Sequence, residues 1–298
     1  MSQRRKPTIS IIGAGRLGQA LALALQESGY PVMALVARRR QKAEKAAATQ
    51  AKNKRRPAAL AATELADLPD TDVVLISTPD DAIAGVAVEL AKLQRGKRRR
   101  VVLHTSGALS SEVLAPLAPS GFQTGSLHPL ASISETLSGA RSLHGAFFCV
   151  EGTAKAKAVG KAIVRDLGGR SFTIKPEHKT LYHAAALTAS PQLTALFDVA
   201  VELLAACGLS KRQAQEVFMP LLESTVNNLR TATPQQALTG TFARGDIETV
   251  RRHLKALSGK GHADVLEIYK LLGKHSLKLA QKNGLDPNRV AEILRLLR

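Results

Sequence analysis

Lys179 and His183 stand four residues apart in the segment Lys175–His183 (KPEHKTLYH). On a helix they share one face. An ammonium and an imidazole side by side can donate and accept a proton, and a neighbouring cation lowers the pKa of a lysine. Two more histidines follow apolar runs: His104 ends Val101–His104 before the turn Thr105-Ser106-Gly107, and His128 lies in Ser126–Leu130 (SLHPL). An imidazole that titrates near neutrality suits general acid–base work. Each of the two is equally readable as a hydrogen-bonded core or loop histidine, and Lys179 as an exposed lysine. His178 falls elsewhere on the helical wheel and reads as solvent-facing. The eight histidines are scattered and Cys149 and Cys207 form no C-x-x-C pair, so no metal site is expected.

A second constellation is Gly13-Ala14-Gly15-Arg16-Leu17-Gly18, which fits G-x-G-x-x-G. It follows the strand-like run Thr8–Ile12 and opens a helical pattern, the context in which such glycines cradle a dinucleotide pyrophosphate. Gly13 would permit the tight turn, Gly15 the approach of the phosphates, and Gly18 close packing of helix on strand. An acidic residue about 20 positions on would bond the ribose of NAD. The chain has Val36-Ala37-Arg38-Arg39-Arg40 there instead. Arginines suit a 2′-phosphate, so NADP(H) is the expected cofactor, with Arg38 the first reader and Arg39 the second. A solvated basic loop is the alternative. Ser77-Thr78-Pro79, after another apolar run, is a turn of small residues beside which the dinucleotide could pass; His104 and Ser106 could orient its ring.

These residues need elements to carry them. Short apolar runs at 8–12, 31–37, 72–77, 101–104, 122–127, 146–150 and 170–174 read as strands, separated by helical stretches. Such alternation predicts a doubly wound, mostly parallel Rossmann sheet. After Pro176 only helical patterns remain. Ser210 with Gln213 and Thr233 with Gln236 are capping boxes, and Pro234 and Pro287 sit at first helical positions. The predicted organisation is a basic tail over 1–6, a dinucleotide-binding α/β domain over 7–175, and an all-α domain over 176–298 with its own substrate and dimerisation roles.

The chain has 298 residues and a formal charge of +18, from 42 Lys and Arg against 24 Asp and Glu. Its basic runs invite a nucleic-acid reading. Aromatics are only 3% and Trp is absent, which argues against base stacking. No uninterrupted apolar run reaches membrane-spanning length, and Met1–Thr8 lacks the apolar stretch of a signal peptide. A cytoplasmic protein is expected, with no membrane and no nucleic acid among its partners.

Together GAGRLG, VLISTPDDAI, HTSGALSSEVL, SLHPL, KTLYHAAALTAS and LTGTFARGD resemble a group of Rossmann-like oxidoreductases with an uncharacterised helical C-terminal domain. That group is related to 6-phosphogluconate dehydrogenase and the β-hydroxyacid dehydrogenases. The resemblance implies that Lys179 matches the proton-donating lysine of β-hydroxyacid dehydrogenases, with His183 where those enzymes carry Asn. His128-Pro129 resembles the His-Pro pair of prephenate dehydrogenases. Pro191 replaces an Asn common in relatives and kinks its helix. Arg244 could hold a substrate carboxylate, cap Asp246 or line a subunit interface. The resemblance also implies a homodimer joined through the helical domain.

The expected activity is NADP(H)-dependent transfer of a hydride between nicotinamide and a small oxo or imino acid, or the matching hydroxy or amino acid. Lys179, His128 and His183 are the candidate catalytic residues. A non-catalytic NADP(H) sensor is the alternative, and a basic nucleic-acid-binding protein a more distant one.

Overall fold

The computed structural model describes residues 5–41, 43–44, 59–93, 100–259 and 261–298. The Ala-rich stretch 41–50, whose pattern is helical, and the basic runs 52–56 and 95–100 lie largely outside them. By its contacts the chain divides into two compact units, Met1–Gln192 and Leu193–Arg298.

The first unit is built on eight strands: β1 Ile9–Ile12, β2 Val32–Val36, β3 Leu60–Ala62, β4 Val73–Ile76, β5 Val101–His104, β6 Gln123–Leu130, β7 Phe147–Gly152 and β8 Arg170–Phe172. They form one sheet in the order β3-β2-β1-β4-β5-β6-β7-β8. All neighbours are parallel except β6 and β7. The strands β1, β4 and β5 are buried at every position, as a parallel sheet covered on both faces requires. Their side chains alternate between two cores. Ile9, Ile11, Val73, Leu75, Val101 and Leu103 join one. Ile12, Val74, Ile76 and Val102 join the other.

Helix α1 (Arg16–Glu27) follows β1 and buries Leu21, Ala24 and Leu25. It is followed by α2 (Asp80–Leu93), α3 (Thr136–Leu143) and α4 (Ala154–Asp166). Strand order reverses between β1 and β4, which opens a crevice at the carboxyl ends of these strands. The glycine turn after β1 and Ser77-Thr78-Pro79 after β4 meet there.

Two elements depart from the sequence reading. β3 was not expected; at three residues it carries too short a pattern to recognise. β6 continues through His128 and Pro129 to Leu130, so His128 is a strand residue rather than part of a loop after the strand. Beyond Ser126 only β7 pairs with β6. That leaves one side of the strand open, where a proline is tolerated.

Helices only follow from Pro176, as expected: α5 Lys179–Ala189, α6 Pro191–Ala206, α7 Lys211–Thr231, α8 Pro234–Ala237, α9 Thr241–Arg244, α10 Ile247–Leu257, α11 Ala263–Lys282 and α12 Pro287–Leu296. Pro191 separates α5 from α6, and both predicted capping boxes form. The second unit has a small core of Val250, Leu277, Val290, Ile293 and Leu297.

Candidate active site

The site is built within the first unit. Gly13 has a φ of 109°, and a Cβ there would lie 2.5 Å from the carbonyl carbon of Ser77. A Cβ at Gly18 would collide with the carbonyl oxygen of Gly13. Both glycines therefore let the turn between β1 and α1 pack against the end of β4. Nothing lies within 4 Å of the place a Gly15 Cβ would occupy. The outer glycines serve packing and the middle one faces open space, the division of labour expected of the motif.

A cleft of about 450 Å³ opens at this point. One end is lined by Gly15, Arg16, Leu17, Ser77, Thr78 and Pro79. Ser77 Oγ and Thr78 Oγ1 are buried and have no hydrogen-bond partner. The first turn of α1 carries no acidic residue and no side-chain cap. Free amides, two orphaned hydroxyls and a glycine with room above it suit the phosphates of a dinucleotide. Ala14 is nearly buried inside the turn.

Arg38 and Arg39 are exposed just beyond β2. The amide of Gly13 donates to Val36 O at 2.8 Å. β2 therefore delivers both arginines to the end of the sheet that carries the glycine turn. Arg40 is engaged with Glu44 at 2.8 Å.

The other end of the cleft is lined by Asp80, Thr105, Ser106, Gly107, His128, Pro129 and His183. Gly107 is needed there. A Cβ would collide with His183 Nδ1 and come 2.8 Å from His128 Nε2. The two imidazoles, one from β6 and one from α5, thus converge on a backbone without a side chain. Their rings are 5.7 Å apart, edge to face. His183 Nδ1 is buried without a partner. The Ser106 hydroxyl is turned inward, donating to Asp80 Oδ2 at 2.8 Å and accepting from the amides of Ala108 and Leu109. Its work is to hold the turn.

Lys179 is close by but set back. It is 1% exposed, and its Nζ donates to Ser106 O at 3.1 Å and to Ser126 Oγ at 3.0 Å. The ammonium ties the turn after β5 to strand β6, behind the cleft wall. Its pKa is lowered, as expected, but the cause differs. Burial is responsible, opposed by Cys149, Glu151 and Asp80, rather than a neighbouring cation.

Two histidine expectations are corrected. His104 does not line the cleft. It is fully buried, its Nδ1 accepts from Ser106 N at 3.2 Å, and its Nε2 lies 3.1 Å from Ser110 O. Both ring nitrogens are spent on the Thr105–Ser110 loop. Nor do His104 and His128 titrate near neutrality. Burial, aided by the charge of Lys179, pushes His104 down to about 4 and His128 to about 3. At neutral pH both are uncharged imidazoles.

The reading from sequence passed over Tyr182, Gly107 and Ser126. Tyr182 Oη is 2.6 Å from His128 Nδ1. It lies three residues after Lys179, a spacing that places it on the same helical face. Ser126 lies two before His128, a spacing that puts both on one face of a strand. Arg244 is exposed in the second unit, next to Asp246, whose carboxylate caps α10. Among the described residues no cluster of His, Cys, Asp or Glu could hold a metal ion.

The sheet order and the glycine turn at its switch point define a Rossmann-like α/β protein. Residues 2–129 match the Rossmann-like domain family, and residues 146–276 match a family described as a domain of unknown function, DUF2520. No curated protein matches the chain in sequence. Many solved structures share its fold. One is a Bacteroides fragilis protein described as an NADP oxidoreductase, 23% identical, with a TM-score of 0.72 over 92% of this chain and 99% of that one. Another is 1-pyrroline-5-carboxylate reductase from Streptococcus pyogenes, 15% identical, with a TM-score of 0.60 over 98% and 100%. A third is the pyrroline carboxylate reductase of Plasmodium falciparum with NADP bound, 12% identical, with a TM-score of 0.58 over 94% and 98%.

Proposed function

We propose that the protein is an NADP(H)-dependent oxidoreductase acting on a small oxo or imino acid, or on the matching hydroxy or amino acid. The observation that carries this reading is the cleft itself. A phosphate-suited glycine turn with orphaned hydroxyls forms one end, and two converging imidazoles form the other. The fold shared with a protein described as an NADP oxidoreductase and with a pyrroline carboxylate reductase that has NADP bound supports it. When bound, the cofactor would supply or accept the hydride.

The chain's own residues do the rest. The turn Gly13–Gly18 and the hydroxyls of Ser77 and Thr78 hold the phosphates, and Arg38 with Arg39 reads the 2′-phosphate. His128 and His183 hold the polar atom of the substrate over Gly107, while Pro129, Ala131 and Ile133 form an apolar wall. Lys179 fixes the geometry from behind. Two free cysteines fit a reducing, cytoplasmic setting.

Calorimetric titration with NADPH and NADH tests the reading. NADPH is expected to bind at least about tenfold more tightly, the scale of one charge-assisted contact, and Arg38→Ala should abolish the preference. Equal affinity for the two would remove the arginine assignment, and no binding of either would remove the enzyme. Binding without turnover of any oxo or imino acid would favour a sensor.

We also assign the exposed apolar faces of the helices to a homodimer. Leu181, Val217, Leu221 and Leu229 are each at least half exposed. The stretch Pro176–Ala206 is long and apolar enough to cross a membrane by length and composition, and its most apolar 18 residues are almost all unburied. Polar residues interrupt it throughout, and Pro191 breaks it in two. A second copy of this chain accounts for such a face without inserting those polar groups in lipid.

A further inference from the structure

Tyr182 Oη lies 2.6 Å from His128 Nδ1, and the direction of that hydrogen bond decides what His128 presents to the cleft. A neutral imidazole carries its proton on one nitrogen only. If Nδ1 holds it, Nε2 is a bare acceptor facing Gly107. If the phenol donates to Nδ1, the proton is on Nε2, and the cleft sees an N–H donor.

We propose that Tyr182 is a positioning residue that fixes His128 as the Nε2–H tautomer, so that the substrate atom held over Gly107 is a hydrogen-bond acceptor such as a carbonyl oxygen or imine nitrogen. This rests on the reading of the cleft as an oxidoreductase site.

Three observations carry it. The first is donor and acceptor strength. Tyr182 is half-buried, and His128 is its only hydrogen-bond partner among the described residues. The Phe172 ring, 5.8 Å away between centroids, and the Lys179 ammonium, 5.6 Å from the Tyr182 ring centre, also lie beside it. Neither accepts a hydroxyl hydrogen. A phenol O–H is a stronger donor than an imidazole N–H, and an imidazole nitrogen a stronger acceptor than a phenol oxygen, so the 2.6 Å contact is made with Tyr182 donating.

The second is charge. Burial raises the pKa of the Tyr182 phenol. Burial and the nearby Lys179 hold His128 in its neutral form. The pair therefore keeps one phenol hydrogen and one imidazole hydrogen across the neutral range, and neither is lost to titration there. The third is aim. Nε2 is the nitrogen beside Gly107, where a Cβ would come within 2.8 Å of it. The hydrogen placed by Tyr182 therefore enters the cleft, opposite the unpartnered Nδ1 of His183.

The consequence is a division of labour within one helix turn. Burial and Lys179 suppress the imidazolium and Tyr182 selects the tautomer, so His128 polarises its ligand as a neutral donor.

Long-range proton–nitrogen NMR of the full chain labelled with ¹⁵N-histidine tests this directly. His128→Gln assigns the resonance. The expected wild-type spectrum shows His128 neutral from pH 6 to 8, with Nε2 protonated and Nδ1 bare. In Tyr182→Phe the two nitrogen shifts should move toward each other as the tautomers mix, while NADPH still binds. A protonated Nδ1 in the wild type would overturn the proposal, as would an unchanged spectrum in folded Tyr182→Phe. The wild-type spectrum decides the matter even if the variant fails to fold. Failure of the oxidoreductase reading appears separately, as loss of NADPH binding by a wild-type protein whose tautomer is as expected.

Discussion

His104 and His128 are held uncharged by their surroundings, and acidification must charge them. Their folded pKa values, about 4 and about 3, lie below the unfolded value of 6.5. Between these limits the unfolded chain binds more protons than the folded one, so stability falls as pH falls through that window and is fully present above pH 6.5. Each histidine adds a slope of up to about 1.4 kcal/mol per pH unit. Urea midpoints are therefore expected to drop between pH 7 and pH 4.5, with a shallower drop in His104→Asn. A midpoint independent of pH over this range would show that the imidazoles are not buried as described. At this scale the sequence was informative about which residue types matter and less so about their duties. Lys179, His183 and His128 do gather at one place. His104 has the same credentials in sequence, an imidazole at the end of an apolar strand, yet its ring turns to the Thr105–Ser110 backbone.

Helix α1 and the turn before it are set by glycines whose missing side chains matter to a neighbour. Gly18 abuts the carbonyl of Gly13, which leaves no room for a methyl group. Gly18→Ala must push α1 away from β1, and overpacking of this kind costs about 1–3 kcal/mol. It should also misplace the amides that face the cleft. The expected outcome is a lower urea midpoint together with weakened NADPH binding. A fully stable Gly18→Ala that binds NADPH normally would contradict the packing described. Elements of this length were legible because their apolar periodicity is long enough to count. β3 was not, with three residues, and the extension of β6 through Pro129 was hidden because proline ordinarily ends a strand. Only the one-sided pairing with β7 makes that extension possible.

At the scale of the whole molecule, apolar surface is left over. Helix α7 has 21 residues, of which only Ala214 is buried. Val217 and Leu221 on it are 57% and 63% exposed. A free monomer rarely displays so much apolar surface. Sedimentation equilibrium is expected to give a dimer, and Val217→Glu with Leu221→Glu should shift it toward monomer with little effect on the sheet domain. A wild-type monomer across the micromolar range would withdraw the homodimer, and recovery only in the membrane fraction would point to lipid as the cover.

Local pattern alone determined the order of the longer strands and helices, the switch from alternating elements to helices after Pro176, the capping boxes and the glycine turn. Each of these depends on residues a few positions apart, whose spacing along the chain is their spacing in the element. The tertiary structure decided what depends on which strand neighbours which. It set the reversal of strand order that opens the cleft, and the withdrawal of Lys179 behind Ser106 and Ser126. It also buried His104 and His128 deeply enough to keep them neutral, and it brought Tyr182 to His128 across 54 residues of sequence. Burial and partnership are properties of the packed surroundings, and a side chain's pKa and proton position follow from them rather than from its place in the chain.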